Sequence, residues 1–260
     1  MTQNLRYFLF PILILSLSFS IVQAQGEFDN EELLGIVYND EMTVDLRFHT
    51  NGLLSLALNR GKIKTYYRTT FYQVEIGYLK HPKESRNNDL GVFNGQSAKP
   101  YSFGKQNSLF MLRGGWGEKR YFSEKAEQKG LAIGMSYTIG GGLGILKPYY
   151  LDLVIDDDSG NFGLVRTGYS EEIRNTFLDV NSILGASGFG AGWKGLSVMP
   201  GIHAKLGVHL DWGAFDEIAK GLEFGFMIDA FYKKVPIMVS EKNTPIFLNV
   251  YLALQLGKRW

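Results

Sequence analysis

The sequence predicts an all-β protein, a transmembrane antiparallel up-and-down β-barrel of eight strands, with ten to twelve strands as the alternative. Eight segments alternate between apolar residues and small or polar ones, as strands with two different faces do. Beyond residue 24 no apolar run reaches the roughly 18 residues of a spanning helix, so the chain could cross a membrane only as a closed barrel. Aromatic residues make up 14% of the chain and glycines number 31 of 260, both high for a soluble domain.

Residues 1–24 are typical of a secretory signal peptide. The single charge Arg6 is followed by an apolar run and by a small-residue cleavage pattern that ends at Ala24. A membrane anchor is the alternative, but the run is short and contains Pro11. We therefore expect a cleaved signal peptide, export to the outer membrane of a Gram-negative bacterium, and one barrel domain over residues 25–260.

Charge and cysteine content exclude several classes of protein. One of the 27 Lys+Arg residues lies in the predicted signal peptide, which leaves 26 to balance 26 Asp+Glu. A nucleic-acid-binding protein would carry a basic excess, so no nucleic acid is expected as a partner. The chain has no cysteine, which rules out a lipoprotein anchor, a disulfide framework and a thiol nucleophile.

The first four predicted strands are separated by recognisable turn signals. Asn51-Gly52 favours the positive φ angles of a type I′ hairpin turn between the first two strands. We interpret residues 60–62 as the next tight turn, and the polar stretch 81–106 as a loop. The eight predicted strands are residues 43–50, 53–59, 63–80, 108–117, 131–155, 196–212, 222–233 and 244–260.

The fifth segment has the clearest alternation, with apolar residues at odd positions from Leu131 to Ile145 and glycine, alanine, serine or threonine at even ones. The row of glycines indicates a crowded interior or sharp curvature. A break at residues 140–142 would give two strands and a larger barrel. The sixth and seventh segments alternate similarly, and the last does so to Trp260 with one break in its apolar row, at Lys258.

Counting strands distributes the connections between two ends of the barrel. Residues 51–52, 81–106, 156–194 and 235–243 fall at one end, and residues 60–62, 118–129 and 213–220 at the other. The two longest connections share an end, as in outer-membrane barrels with short periplasmic turns. A soluble sandwich or lipocalin-like barrel is the alternative. Its polar face would be rich in Lys, Glu and Thr, whereas here it is rich in Gly, Ala and Ser, which favours a small filled lumen.

The inward-facing row collects charges of both signs. These residues are Asp45, Arg47, His49, Glu75, Arg113, His203, Lys205, His209, Asp211, Glu223, Asp229, Lys233 and Arg259. Buried charges must be paired, so we interpret the set as an ion-pair network that fills the barrel. A proton- or ion-handling interior, or a metal site at His49, His203 and His209, is the alternative. His203 and His209 lie six residues apart, roughly 20 Å at ~3.3 Å per residue, too far to share a metal.

Two further patterns could indicate catalysis or ion binding. His81, with Glu84, Ser85 and Asp89 nearby, is a candidate base for an enzyme at the rim acting on lipid or peptide, but no catalytic motif joins these residues. Residues 156–161 place oxygen donors at alternate positions, as in half of a calcium loop that lacks its closing glutamate. We expect a solvated turn there, no cofactor or metal, and no enzymatic activity.

The long connection 156–194 contains a predicted amphipathic helix. Ser170 would cap it and Gly185 would end it. Its apolar stripe consists of Ile173, Phe177, Val180 and Leu184. A helix outside the membrane needs a cover for such a stripe, either the barrel mouth or a partner protein.

A resemblance adds to this interpretation. The stretch SLFMLRGGWGEKRYFSEKAEQKGLAIGMSYTIGGGLGILKPYYL, together with RFHTNG and YLKHPKE, resembles a group of poorly characterised outer-membrane barrel proteins of Bacteroidota, over about residues 35–260. The resemblance implies an outer-membrane location, a barrel fold and membership of a larger envelope assembly. It implies no known reaction.

The function expected from the sequence is therefore that of a non-enzymatic outer-membrane barrel. We expect a structural or accessory subunit of a larger assembly, for example secretion or barrel-assembly machinery. Its surroundings would be outer-membrane lipid, and its loops at 81–106 and 156–194 would bind other outer-membrane proteins. A rim-located enzyme and a small-solute pore are the alternatives.

Overall fold

The computed structural model describes residues 38–87, 92–93, 96–97, 99–122, 131–156, 162–212 and 216–260. The predicted signal peptide, Asp89 and residues 157–161 of the calcium-like turn lie outside these ranges, so those expectations stay predictions. No helix in the described ranges is long and apolar enough to span a membrane.

Fifteen strands lie within the described residues. They are β1 Asp40–His49, β2 Gly52–Thr65, β3 Arg68–Leu79, β4 Arg86–Asn87, β5 Val92–Phe93, β6 Gln96–Ser97, β7 Tyr101–Ser102, β8 Asn107–Tyr121, β9 Ala132–Pro148, β10 Tyr150–Asp156, β11 Phe162–Gly168, β12 Ile183–Ala186, β13 Ser197–Asp211, β14 Ile218–Phe231 and β15 Ile246–Arg259. Eight of them close a barrel in the order β1-β15-β14-β13-β9-β8-β3-β2. The predicted fold class is confirmed, with eight strands.

The barrel closes by pairing β15 with β1. The antiparallel register runs from Glu41 opposite Arg259 to His49 opposite Tyr251. Beyond the strand, the Trp260 N–H donates to the Asp40 carbonyl at 3.0 Å, and the Asp40 N–H donates back at 2.9 Å. Closure leaves no strand edge in the barrel, the condition for placing a sheet in lipid.

Apolar side chains cover the outside of the barrel and polar ones fill the inside. Leu206 on β13 and Phe226 on β14 face each other in register and are 50% and 61% exposed. The neighbouring Lys205 and Glu223 point inward and are buried. A soluble barrel would have the reverse pattern, because apolar surface on this scale is unfavourable in water. The structure is therefore a transmembrane barrel, and the sandwich or lipocalin alternative is wrong.

We call the two rims of the barrel the turn end and the loop end. The turn end carries the start of β1, the end of β15 and the connections 66–67, 122–131 and 212–217. The loop end carries the connections 50–51, 80–106, 149–196 and 232–245. The predicted distribution of connections between the two ends is confirmed, with shifted boundaries.

The turn predicted at residues 60–62 is wrong. Strand β2 continues to Thr65, and the chain reverses at Tyr66 and Tyr67. Gly61 is a ladder residue opposite Phe71. A Cβ atom on Gly61 would lie 3.2 Å from the Thr69 methyl group, so this glycine provides room in a crowded lumen rather than a turn.

The fifth predicted strand ends earlier than expected. It is unbroken through residues 140–142, which pair with both β8 and β13, so the predicted alternative of a split there is wrong. However, β9 stops at Pro148, which has no N–H to extend the ladder. Residues 150–156 form β10 in a separate sheet with the order β11-β10-β12.

The connection 149–196 folds as a small unit around an apolar core that it shares with Tyr101 of the connection 80–106. Beside the three-stranded sheet it contains the single-turn helix α1 (Arg174–Phe177) and two 3-10 turns, Val180–Ser182 and Trp193–Gly195. The core consists of Tyr101, Leu151, Leu153, Phe177 and Ile183.

The predicted long amphipathic helix is wrong in extent. Ile173 caps α1 and Ser170 lies before it, so Ser170 is not the cap. Val180 belongs to a 3-10 turn and Leu184 to β12, because Leu184 lies in the strand that pairs with β10. A short helix in the long loop connection, as the fold class predicted, is nevertheless present.

A charge introduced on the outer face should destabilise the barrel strongly. We expect Leu206→Lys to lower the free energy of unfolding by about 2–4 kcal/mol in lipid vesicles, because the ammonium would lie near the bilayer midplane. Urea titration followed by heat-modifiable gel mobility would measure this. Val180→Lys, in an exposed loop position, is the control and should change stability by less than about 0.5 kcal/mol. Equal effects at both positions would contradict the membrane-facing assignment.

Candidate functional site

The lumen of the barrel holds the charged residues that the sequence selected. Eleven of them are buried inside: Asp45, Arg47, His49, Glu75, Arg113, His203, Lys205, His209, Asp211, Glu223 and Asp229. Arg259 is also buried there. The exception is Lys233, which follows the end of β14 and is exposed, so its assignment to the lumen is wrong.

A central cluster ties four strands together. Glu75 on β3 accepts hydrogen bonds from both Arg47 and Arg113, the latter at 2.7 Å between Oε1 and Nη1. Arg47 also pairs with Asp45 on its own strand. Arg113 on β8 makes a second, bidentate contact with Asp229 on β14, at 2.7 and 2.8 Å. Two guanidinium groups are thus neutralised by three carboxylates.

A second cluster fills the lumen at the turn end. Lys119 on β8 donates to Glu41 on β1 at 2.9 Å and to Gln255 on β15 at 2.7 Å. β8 and β15 are opposite walls in the strand order, so this side chain crosses the lumen. Arg259 bridges Glu41 and Asp211, each at 2.7 Å. Glu41 and Lys119 were missed by the sequence analysis, which began the first strand at residue 43 and ended the fourth at 117.

Between these clusters lies Glu223 on β14. It accepts a hydrogen bond from the Tyr251 hydroxyl at 2.8 Å and one from the Ser136 hydroxyl at 2.6 Å. The Lys205 ammonium lies 3.6 Å from it and donates to Gln73 at 3.2 Å. The charges therefore form paired clusters along the lumen, as predicted.

The three lumen histidines do not converge. His203 Nδ1 lies 3.3 Å from Asp229, and His209 Nδ1 lies 3.5 Å from Glu223, so the two rings meet different carboxylates. His49 lies near the loop end of β1. Within the described residues no three His, Cys, Asp or Glu side chains are placed to hold a metal ion. The metal-site alternative at these histidines is not supported by their positions.

An apolar cluster, which we call the mouth cluster, closes the lumen at the loop end. It consists of Leu79, Leu109, Met111, Leu146, Met199, Phe231, Val235, Ile237, Met238 and Phe247. Ile237 belongs to the connection 232–245, and its carbonyl accepts from the N–H groups of Gln106 and Asn107 at 2.8 and 3.1 Å. Two connections are thus hydrogen-bonded across the mouth. The alternation pattern could not reveal this cluster, because Val235, Ile237 and Met238 belong to the irregular connection 232–245.

The proposed rim base is part of the loop structure. His81 is buried, its Nδ1 accepts from the Lys83 N–H at 3.2 Å, and its Nε2 lies 3.3 Å from the Lys242 carbonyl. Glu84 accepts from Lys105 at 2.6 Å and from the Ser102 hydroxyl at 3.2 Å. Ser85 is exposed. In the described part of this connection His81 therefore contacts backbone groups rather than a nucleophile.

Lys105 organises a polar cluster at the loop end that sequence analysis missed. Its ammonium donates to the Tyr78 hydroxyl and to Glu84, each at 2.6 Å. Burial by itself would lower the pKa of Lys105, but the charges and hydrogen bonds of Tyr78 and Glu84 outweigh it and raise that pKa. Lys105 therefore remains a cation at neutral pH and fixes the connection 80–106 to the barrel wall.

Of the four side chains predicted to bind a partner, Val180 is the one that is largely exposed. Phe177 is fully buried in the core of the 149–196 unit, and Ile173 packs against that core. Leu184 is half-buried in β12. Their predicted role in partner binding stays a prediction, but they do not form one continuous apolar face.

Comparisons with known proteins find weak structural similarities alone. No family model and no curated protein matches the chain. Among solved structures, the chain is similar to Neisserial surface protein A (NspA), with a TM-score of 0.39, 7% identity, and coverage of 86% of this chain and 97% of that one. It is also similar to the N-terminal β-barrel domain of Pseudomonas aeruginosa OprF, with a TM-score of 0.34, 8% identity, and coverage of 86% and 98%. Similarity this weak carries no conclusion about function.

The fold, the apolar outer face and the paired lumen together define a class, the eight-stranded transmembrane β-barrels with a filled interior. The resemblance to the Bacteroidota group is untouched by the comparisons and stays a prediction.

Removing one cation from the central cluster should lower the free energy of unfolding more than removing an exposed cation does. We expect Arg113→Met to lower the free energy of unfolding by about 3–5 kcal/mol, because Glu75 and Asp229 would lose a buried partner. Lys83→Met is the control, since Lys83 pairs with Glu241 at the surface and should contribute at most about 1 kcal/mol. Urea titration in vesicles would compare them. If both variants lost less than about 1 kcal/mol, the lumen network would not be a determinant of stability.

Proposed function

We propose that this protein is a non-enzymatic outer-membrane β-barrel of a Gram-negative bacterium, exported with a cleaved signal peptide. In this proposal the barrel is a closed anchor, and the loop end binds another protein of the same membrane within a larger assembly. The observation that carries the proposal is the filled lumen, with ion-paired clusters along its length and the mouth cluster at one end.

The side chains that fill the lumen favour an anchor over a small-solute pore. An eight-stranded barrel has an interior just wide enough for side chains. Here Lys119 reaches the opposite wall, and Arg113 is held by two carboxylates. Opening a path would break buried ion pairs, each at a cost of about 3–5 kcal/mol. The lumen is therefore better suited to stability than to transport.

The surface of the barrel supports a location in the outer membrane. Exposed aromatic residues lie towards both ends of the apolar face, as the girdles at the two bilayer interfaces do. They include Tyr72, Trp116, Trp212 and Trp260 towards the turn end and Phe48 and Tyr232 towards the loop end. The short turns at one end and the long connections at the other support an orientation with the turn end in the periplasm and the loop end outside.

The edge strand β11 is the best candidate for contact with a partner protein. It pairs with β10 on one side and is the terminal strand of its sheet. Leu164 and Val165 are adjacent, so they point to opposite faces of the strand, and they are 37% and 44% exposed. An exposed edge of seven residues is a template for strand addition by another chain.

The barrel should not conduct ions. In planar bilayers containing the purified protein we expect no discrete current steps under an applied voltage, because side chains occupy the lumen. A general-diffusion porin reconstituted in the same bilayers is the positive control. Steady steps that scale with electrolyte concentration would contradict the anchor and favour the pore.

The edge strand should be required for partner binding. A gentle detergent pull-down of the tagged protein from its own outer membrane, read by mass spectrometry, should recover a stoichiometric membrane protein. We expect Leu164→Asp combined with Val165→Asp to abolish the recovery, because the charges oppose strand addition. Val180→Asp is the matched control, since it is also an exposed apolar residue of the same unit. A lone monomer would contradict the subunit hypothesis, and loss with Val180→Asp alone would move the contact to the 3-10 turn.

A further inference from the structure

A groove of about 550 Å³ lies on the outer wall of the barrel at the loop end. The loop ends of β3, β8 and β9 form its floor, with Tyr78, Phe110 and Lys147. Its other sides are lined by Pro100, Ser102, Ala186, Ser187, Gly188, Phe189 and Ala191. Phe110 packs against Tyr78 with ring centroids 5.3 Å apart, and against Phe189 at 6.4 Å. The groove thus joins the lipid-facing wall to the 149–196 unit.

Lys147 is a buried cation whose ammonium lies against aromatic rings. Its side chain is 6% exposed, and its ammonium lies 4.5 Å from the ring centroid of Phe189 and 5.5 Å from that of Trp193. In the part of the chain that the structure describes, no carboxylate lies within ion-pair distance of it. Cation–π contacts offset part of the desolvation cost, but a buried charge is stable only when it is paired. The site is therefore complete only with an anion.

The groove carries an excess of positive charge around this ammonium. Lys80, Arg86 and Lys105 line it together with Lys147, and among the described lining residues Glu84 carries the one carboxylate. That carboxylate is already paired with Lys105 through its Oε1 atom. A mobile anion with more than one negative charge would balance these positive side chains. Phosphate is the common biological group of that kind.

Glu84 adds a second requirement for a ligand of this groove. Its Oε2 atom is buried and has no hydrogen-bond partner among the described residues, although the side chain lines the same groove. An unpaired buried acceptor is unfavourable, and a ligand hydroxyl could donate a hydrogen bond to it. A ligand that fits the groove therefore carries both a phosphate and hydroxyl donors, as a phosphorylated sugar does.

The position of the groove indicates that this sugar is attached to lipid. Tyr78 and Phe110 continue the outward rows of Ile76 and Leu112, which are exposed on the apolar wall. Acyl chains of a ligand could lie along these rows while its headgroup occupies the groove. We propose that the groove between the β3-β8-β9 wall and the 149–196 unit binds the phosphorylated sugar headgroup of an outer-leaflet glycolipid. The inference rests on the orientation and location given under the proposed function.

Lipid retention by the full chain tests the inference. The protein would be reconstituted in phosphatidylcholine nanodiscs that contain lipid A, and bound lipid would be counted by native mass spectrometry. We expect one lipid A per chain, and a loss of affinity of about tenfold in Lys147→Met, since a charge-assisted contact is removed. Arg86→Gln, at an exposed position that leaves the fold intact, should lower affinity several-fold. Lys83→Met, an exposed lysine that does not line the groove, is the matched control and should retain the lipid.

Two further arms separate the sources of phosphate. Equal retention of phosphatidylglycerol would show recognition of phosphate without the sugar, and equal binding of inorganic phosphate would show an ion site without a lipid. Either result overturns the inference, as does retention unchanged in Lys147→Met. Heat-modifiable gel mobility of each variant checks that the barrel is folded. If lipid is not retained but the partner protein is still recovered, the result bears on the glycolipid site alone. If the unmodified protein recovers no partner, the result bears on the proposed function.

Discussion

Every backbone polar group of a chain in lipid must find its partner within the protein, and this constraint accounts for most of the structure. A sheet meets it only by closing, which here requires the pairing of β1 with β15. Closure with eight strands fixes a narrow interior. The inward rows must then fill a small space, which explains the glycines opposite large residues, such as Gly61 opposite Phe71. The outward rows contact lipid acyl chains, so their side chains are apolar.

The lumen charges follow from closure as well. Groups cut off from water must be paired, and the structure pairs them between strands that are distant in sequence, as in Arg113 with Asp229. Such pairs also define the register. A slip of one residue would turn Arg47 towards lipid and Leu46 into the lumen, at the cost of both the ion pairs and the outer surface. The network therefore contributes to the uniqueness of the fold as much as to its stability.

Period-2 alternation was sufficient to predict the eight barrel strands and most of the charged residues that face the lumen, because both depend on local pattern alone. It failed where tertiary contacts determine the local structure. Gly61 was interpreted as a turn residue, although a crowded neighbour explains the glycine. The apolar spacing of Ile173, Phe177, Val180 and Leu184 suggested one helix. In the structure these residues belong to α1 and its cap, to a 3-10 turn and to β12, because β12 pairs with β10. The partners of each lumen charge depend on the stagger of the strands, which a single sequence does not reveal. The groove at Lys147 combines four separate segments between Tyr78 and Ala191, so no local motif marks it.

The pairing of β1 with β15 also has a kinetic consequence. Most neighbouring barrel strands are joined by hairpins and can meet early, but Glu41 and Arg259 are separated by 218 positions. Loop closure over such a distance carries a large entropic cost, and contacts of this kind form late. An open, seven-hairpin precursor would expose two unpaired edges and an apolar face at once, which makes it prone to aggregation. We therefore expect the polypeptide to depend on chaperones until its first and last strands join.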